Sequence, residues 1–512
     1  MRSLLSSIVL LGGASTALAV PFDYLFKRDT TTTSSTSTFG PGFNTITWKN
    51  CSTNDPPRLQ CGTMSVPLDP SNPAGAKITI GMARLKTSHA GGVPPLGVML
   101  MNPGGPGGVA SGVMKAVASG DFTLFSDQII ANYDIVGLDP RGVGLSTPVK
   151  CDPTVANVRV NTLPTTTAQY NALVAHNKAL GQSCASLTGP LINFLSTAVV
   201  VEDIELFRQA YGMGKLSFLA LSYGTQIAVQ YAEAYPQNIG RFVLDGNVDH
   251  SLPETAALLG EASTFETTLN HFFAWCAAAS PSDCPIQGQN IPAFFDNLIS
   301  NAATNGIPAA SCTPSTCVSP VNDVDILTGV QGMLIGPDIT SAWPPLAASL
   351  AKAGNGDASD FAAGVFTTQV SGGYSNIAIG CQDWLHASTA LDDVLAKMRT
   401  AIAIAPHSKG ISQSYTYQTS CIGWPAPVTN PQHVLKPKAL TAPPMLMINA
   451  LYDPATSYSW ATGVAAQLTQ AVFLTRNGAG HTSYLLGGAA FDIANTFFLT
   501  GALPAPGTIV TS

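Results

Sequence analysis

Lys215-Leu-Ser-Phe-Leu-Ala-Leu-Ser-Tyr-Gly-Thr-Gln-Ile-Ala-Val-Gln-Tyr-Ala-Glu-Ala-Tyr-Pro236 is the stretch from which the rest of this chain is read. The apolar run Leu216 to Leu221 has the length of a short buried strand. It stops at Ser222-Tyr223-Gly224, after which Ile227, Ala228, Tyr231 and Ala232 recur at helical spacing and Pro236 marks the far end. A strand, a sharp turn carrying a serine, and a helix present that serine above the sheet edge, with small neighbours letting the turn close. Glycine is usual two places before the serine, and here Ala220 adds one methyl group. Ser222 is the candidate nucleophile.

Working outward, the same alternation recurs on both sides. Val66 to Leu68 and Lys77 to Leu85 read as opening strands. Leu96 to Met101, Tyr133 to Leu138, Arg241 to Asp245, Pro444 to Asn449 and Ala471 to Thr475 read as apolar strands. Val200, Ile204, Phe207 and Tyr211 form one face of a helix leading into the strand before Ser222. Apolar strands alternating with helices predict an α/β fold, a mostly parallel sheet covered by helices on both faces. Reactive groups in such sheets collect at the carboxyl ends of the strands.

A serine hydroxyl needs a base, and the base needs an orienting acid. In this architecture the chain order is serine, acid, histidine. The strand ending at Asn449 leads to Asp453-Pro454, and the strand ending at Thr475 leads through glycines to His481. Asp453 and His481 are the expected partners. Asp139 follows a strand too early for the acid, and Asp139-Pro-Arg-Gly reads as a structural turn. The oxyanion of an acyl transfer needs preoriented donors. Tyr223 N–H comes with the serine turn, and a second donor is expected from Gly104-Gly105-Pro106-Gly107, with Gly105 preferred over Gly104. A phosphate-binding reading of that loop fails, because no Gly-Lys-Ser/Thr follows and no dinucleotide spacing is met.

Composition narrows the classes. Of 512 residues, 46% are hydrophobic and 10% charged, which gives ample core and excludes a disordered chain. A net charge of −7 supplies no basic footprint for nucleic acid. Met1-Arg2, an apolar run and Ala17-Leu18-Ala19 read as a secretory signal peptide over residues 1–19, too short in its apolar part for a membrane span. Lys27-Arg28 reads as a processing site, and the Ser/Thr-rich stretch that follows as a flexible leader, giving 20–39 as a processed segment. Asn50-Cys51-Ser52 is an N-glycosylation sequon. Ten cysteines behind a signal peptide argue for disulfides. Pairing neighbours is the simplest assignment, although sequence does not fix connectivity. No Cys-x-x-Cys occurs, so no metal and no cofactor are expected.

Taken together, these residues resemble the α/β-hydrolase superfamily. More narrowly they are similar to the prolyl iminopeptidase/tripeptidyl aminopeptidase family of secreted serine peptidases, with a TAP-like C-terminal region. The resemblance rests on Asn102-Pro-Gly-Gly-Pro-Gly107, Asp139-Pro-Arg-Gly-Val-Gly-Leu-Ser146, Ser222-Tyr-Gly-Thr225, Val243-Leu-Asp-Gly246, Ala378-Ile-Gly-Cys-Gln-Asp383, Asp453-Pro-Ala455 and Gly480-His481. Asn102 stands where the single-residue iminopeptidases have histidine, which favours the tripeptidyl branch. The family implies a large, mainly helical cap between nucleophile and acid. Independently, Ser222 and Asp453 are 231 positions apart, more than the remaining sheet elements need. Leu391, Val394, Leu395, Met398 and Ile402 share a helical face within that interval. The expected organisation is core over 40–249, cap over 250–430 and core again over 431–512. Asp383 is the candidate carboxylate for a substrate's N-terminal ammonium. The resemblance implies a secreted serine exopeptidase releasing short peptides, with peptide substrates, no nucleic-acid partner and no membrane partner after signal cleavage. A carboxylesterase or lipase using the same residues, and a non-catalytic binding protein, are the alternatives. Oligomeric state is left open.

Overall fold

The computed structural model describes residues 35–36, 45–336, 339–386 and 388–511. The expected signal peptide, Lys27-Arg28 and all but Ser35–Thr36 of the leader lie outside them. The strands are β1 (Ser35–Thr36), β2 (Thr47–Asn50), β3 (Leu59–Pro67), β4 (Lys77–Leu85), β5 (Val98–Asn102), β6 (Asp134–Leu138), β7 (Leu216–Leu221), β8 (Ile239–Asp245), β9 (Leu446–Tyr452), β10 (Val472–Ala479) and β11 (Ile509–Thr511). They form one sheet in the order β1-β2-β3-β4-β6-β5-β7-β8-β9-β10-β11. Pairing is antiparallel from β1 as far as the β4–β6 contact, and parallel from β6 through β5 to β11.

Burial follows the pairing. β3 alternates buried and exposed positions along much of its length, whereas β5, β6 and β7 are buried at every residue. That is the pattern of a sheet with both faces covered. Val98 and Leu100 of β5 pack with Phe218 and Ala220 of β7 against the helices Thr197–Tyr211 and Tyr223–Ala234. Met99, Met101, Leu219 and Leu221 point the other way, toward the helices Ala110–Ser119 and Gly488–Thr500. The period of two within each strand therefore builds two separate cores. The parallel strands β5 to β10 lie within two or three residues of their expected bounds, except that β10 runs on to Ala479, and β11 was not expected. It continues beside β11 to Asn477, and beside β9 to Ala479 through a register shift between Arg476 and Ala479.

Between β8 and β9 the chain is helical. Glu254–Ala278, Ile291–Asn305, Asp323–Leu334, Ile339–Gly354, Gly372–Asp383, Leu391–Ile404 and Gln413–Cys421 are its α-helices. Phe265, Phe272, Phe295, Leu327, Trp343 and Leu346 form an apolar core for most of this insertion. Asn322 and Asp325 close a capping box at one helix start, and Asn290 caps another. Cysteines pair as Cys51–Cys61, Cys151–Cys184, Cys276–Cys284, Cys312–Cys317 and Cys381–Cys421, each with its neighbour in sequence.

Candidate active site

Ser222 sits between the last residue of β7 and the first of the helix Tyr223–Ala234, with φ 56° and ψ −129°. A non-glycine residue held at positive φ is costly and persists only where its surroundings fix it. Here Ser222 N–H donates to Asp245 O at 2.9 Å, and Ser222 O accepts from Thr225 N–H at 2.8 Å. Ala220 is wholly buried within β7, paired with Asn102 and Leu244, so its extra methyl group is absorbed in the sheet. Gly104 approaches from the loop after β5. A β-carbon there would lie 2.6 Å from Ser222 Cβ, and its φ is +93°, so no other residue fits without moving the serine.

Asp453 and His481 lie just beyond the ends of β9 and β10, next to each other in the sheet, and their side chains meet. His481 Nδ1 is 2.7 Å from Asp453 Oδ2 and 2.9 Å from Oδ1. Asp453 is fully buried, and its Oδ1 accepts from the N–H groups of Ala455 and Thr456, both at 2.9 Å. The Thr456 hydroxyl donates to Oδ2 at 2.8 Å and lies 3.2 Å from His481 Nδ1. Gly246 leaves room for the ring, since a β-carbon there would stand 2.8 Å from His481 Cε1. Buried Arg476 holds the histidine loop, donating to Ser483 Oγ and Gly480 O. All the imidazole's protein hydrogen bonds are at Nδ1. Nε2 engages no described residue, and His481 and Ser222 line one cleft.

Burial alone would lower the His481 pKa. The charge and hydrogen bond of Asp453 outweigh it, aided by the charges of Asp245 and Glu261, and the net shift is upward. Asp245, below the site, is pushed up to about 6 by burial, against N–H donation from Tyr484 and Ser483 and the charges of Arg476 and His481.

Two backbone N–H groups border the cavity that Ser222 lines. Tyr223 N–H, at the first position of its helix, and Gly105 N–H bond to no described residue, and both residues line a cavity with Ser222. Gly104 N–H is taken by Asn102 Oδ1 at 2.9 Å, which separates the two glycines that sequence left as rivals.

Asp383 is the correction. It is fully buried and does not line the cleft. Its carboxylate accepts from Thr197 N–H and Oγ1, Tyr223 OH and Asn430 Nδ2 at 2.6 to 2.8 Å, which leaves no place for a substrate ammonium. Instead it braces the helix Tyr223–Ala234 against the insertion. The carboxylates that do line the cavity beside Gly105 and Tyr223 are Asp249, Glu254 and Glu261. Glu254 is paired with Lys397 at 2.6 Å and His386 at 2.9 Å. Glu261 accepts from Gln331, Gln413 and Ser414, and burial raises its pKa despite those bonds. Sequence gave no sign of these three, because the cavity is assembled from distant segments. Thr456 was signalled only by standing three places after Asp453. Among the described residues no group of three or more His, Cys, Asp or Glu side chains could hold a metal ion.

Residues 97–281 match the family described as "alpha/beta hydrolase fold", and residues 408–509 the family described as "TAP-like protein". The chain belongs to the α/β-hydrolase superfamily and is a serine hydrolase. Within it, the chain is 29% identical over 487 residues to serine protease Hip1 of Mycobacterium tuberculosis, covering 90% of each chain. It is 27% identical over 489 residues to the tripeptidyl aminopeptidase of Streptomyces lividans, covering 90% of this chain and 85% of that protein. It is 28% identical over 486 residues to carboxylesterase B of M. tuberculosis, covering 89% and 88%.

Proposed function

We propose that this protein is a secreted serine exopeptidase that removes short peptides, tripeptides above all, from free N-termini through an acyl-enzyme. Ser222 Oγ attacks the scissile carbonyl carbon as His481 Nε2 takes its proton. The N–H groups of Gly105 and Tyr223 hold the resulting oxyanion. His481 then gives the proton to the departing amine, and water repeats the sequence on the Ser222 ester. Asp453 keeps the Nδ1–H tautomer, so that Nε2 faces the serine as the acceptor. Ser222 and His481 line one cleft, and contacts between nucleophile and base are often loose until substrate binds.

The observation carrying the peptidase reading is the cavity on the oxyanion side. Three carboxylates, Asp249, Glu254 and Glu261, line it. Glu261 is filled by Gln331, Gln413 and Ser414, and Glu254 is paired with Lys397 and His386. Asp249 accepts from Ser251 and Gln467 at Oδ1 alone, so its Oδ2 is the carboxylate oxygen left for an ammonium group. Such a lining favours a peptide's ammonium end and disfavours its carboxylate end. Five disulfides, which form in oxidising compartments, support secretion.

The resemblance to carboxylesterase B supports a second reading, in which esters are the natural substrates. One comparison separates them: an Ala-Ala-Pro amide, its N-acylated form and a short-chain ester, with products identified by mass spectrometry. The exopeptidase releases a tripeptide from the free form and loses that activity when the amine is blocked. Equal turnover of blocked and free forms, or turnover of the ester alone, refutes it.

A further inference from the structure

Ser222 stands where two cavities meet, and among the described residues only Ser222 and Gln413 line both. One is the carboxylate-lined space beside Gly105 and Tyr223. The other is walled by Met101, Val109, Val113, Phe122, Ile335 and Leu485, and among the described residues His481 is the only ionisable side chain in its lining. We propose that this apolar cavity receives the side chain of the residue immediately after the scissile bond, and that the protein favours a large apolar residue there. The inference rests on the peptidase reading above and names the leaving-group half of its substrate.

Three observations orient the chain across the serine. The leaving nitrogen takes its proton from His481, so the polypeptide beyond it departs on the imidazole's side. His481 and Thr482 line the apolar cavity and not the acidic one. The oxyanion donors Gly105 and Tyr223 line the acidic cavity and not the apolar one, which puts the acyl half there. An ammonium group loses hydration in an apolar recess without gaining a partner, so the free N-terminus is excluded from the second cavity. Its walls come from β5 (Met101), the helix Ala110–Ser119 (Val113), the insertion (Ile335) and the segment after His481 (Leu485). Core and insertion close together around whatever side chain enters.

The same cavity then selects among nucleophiles that intercept the acyl-enzyme. An amino-acid amide attacks the ester carbon with its α-nitrogen and passes one proton to His481. The carbon–oxygen bond to Ser222 breaks, and His481 returns that proton to Oγ. The test forms the acyl-enzyme from unblocked Ala-Ala-Pro methyl ester with glycine, serine, leucine or phenylalanine amide present. Tetrapeptide amide is then compared with tripeptide acid by mass spectrometry. Leucine and phenylalanine amides should be incorporated about tenfold or more better than glycine and serine amides, the scale on which apolar pockets discriminate. Val113→Trp, which fills the cavity, should collapse the phenylalanine-to-glycine ratio, and this ratio is independent of overall rate. Ready hydrolysis with equal incorporation of all four amides, or a preference for serine amide, overturns the subsite and leaves the peptidase reading standing. Failure of the unblocked ester to acylate Ser222 overturns that reading and this one with it.

Discussion

Asp453→Asn perturbs one atom and reports on the whole proton path. Two N–H groups, those of Ala455 and Thr456, converge on Oδ1 at 2.9 Å, so the new amide must place its oxygen there. Its NH2 then occupies the Oδ2 position, 2.7 Å from His481 Nδ1, where it can only donate. The imidazole must answer with a bare Nδ1, which moves its proton to Nε2, and Nε2–H cannot accept the serine proton. A wrong tautomer in an otherwise intact triad costs on the order of 10⁴ in kcat, about 5 kcal/mol of transition-state stabilisation. The acid limb of the pH–rate profile should move as well. A neutral imidazole is the base, so activity falls as pH drops through the His481 pKa, which Asp453 holds above the ordinary histidine value. Without that carboxylate charge, burial prevails and the limb moves to lower pH. The assay is kcat/KM against pH with an unblocked tripeptide amide, alongside thermal unfolding to show an intact fold. A variant within tenfold of the parent, with an unmoved acid limb, would refute the reasoning.

Three further outcomes follow from other parts of the structure. Gly104→Ala should lower kcat by at least about 10², the scale of a misplacement near 1 Å, because its methyl group would meet Ser222 Cβ at 2.6 Å; steady-state kinetics checks this. Asp383→Ala strands four buried donors and should cost about 3 kcal/mol or more of stability in denaturant unfolding, whereas its folded fraction should keep its preference for unblocked peptides. Replacing Cys381 and Cys421 together by alanine opens a loop closed at a separation of 40 residues and should cost about 4 kcal/mol by chain entropy, read as a lowered melting temperature.

The sheet and the residues along its carboxyl edge were legible in the sequence because their signals are local. An apolar run buried on both faces, followed by Gly, Pro or Asp, marks a strand end wherever the chain later goes. Ser222 and Asp453 follow such runs, and His481 follows the glycines at the end of β10, a partly exposed strand. The disulfides match the simplest assignment, since each cysteine's partner is the next one along. Asp383 was misread because its motif gives a carboxylate without its surroundings. Burial beneath Thr197, Tyr223 and Asn430 arises from segments up to 186 positions away. The cavities are nonlocal in the same sense. Val113, Ile335 and Leu485 come together only when the insertion folds back over the sheet, and nothing in their own neighbourhoods announces it.

The central claim is that Ser222 is a nucleophile armed by His481, and covalent labelling tests it most directly. The folded protein is treated with an organophosphonate, and intact mass and peptide mapping are compared for the parent, Ser222→Ala and His481→Ala. The account predicts one adduct, mapped to Ser222, absent from Ser222→Ala and strongly slowed in His481→Ala. An unlabelled parent, an adduct at another residue, or labelling indifferent to His481 would contradict it.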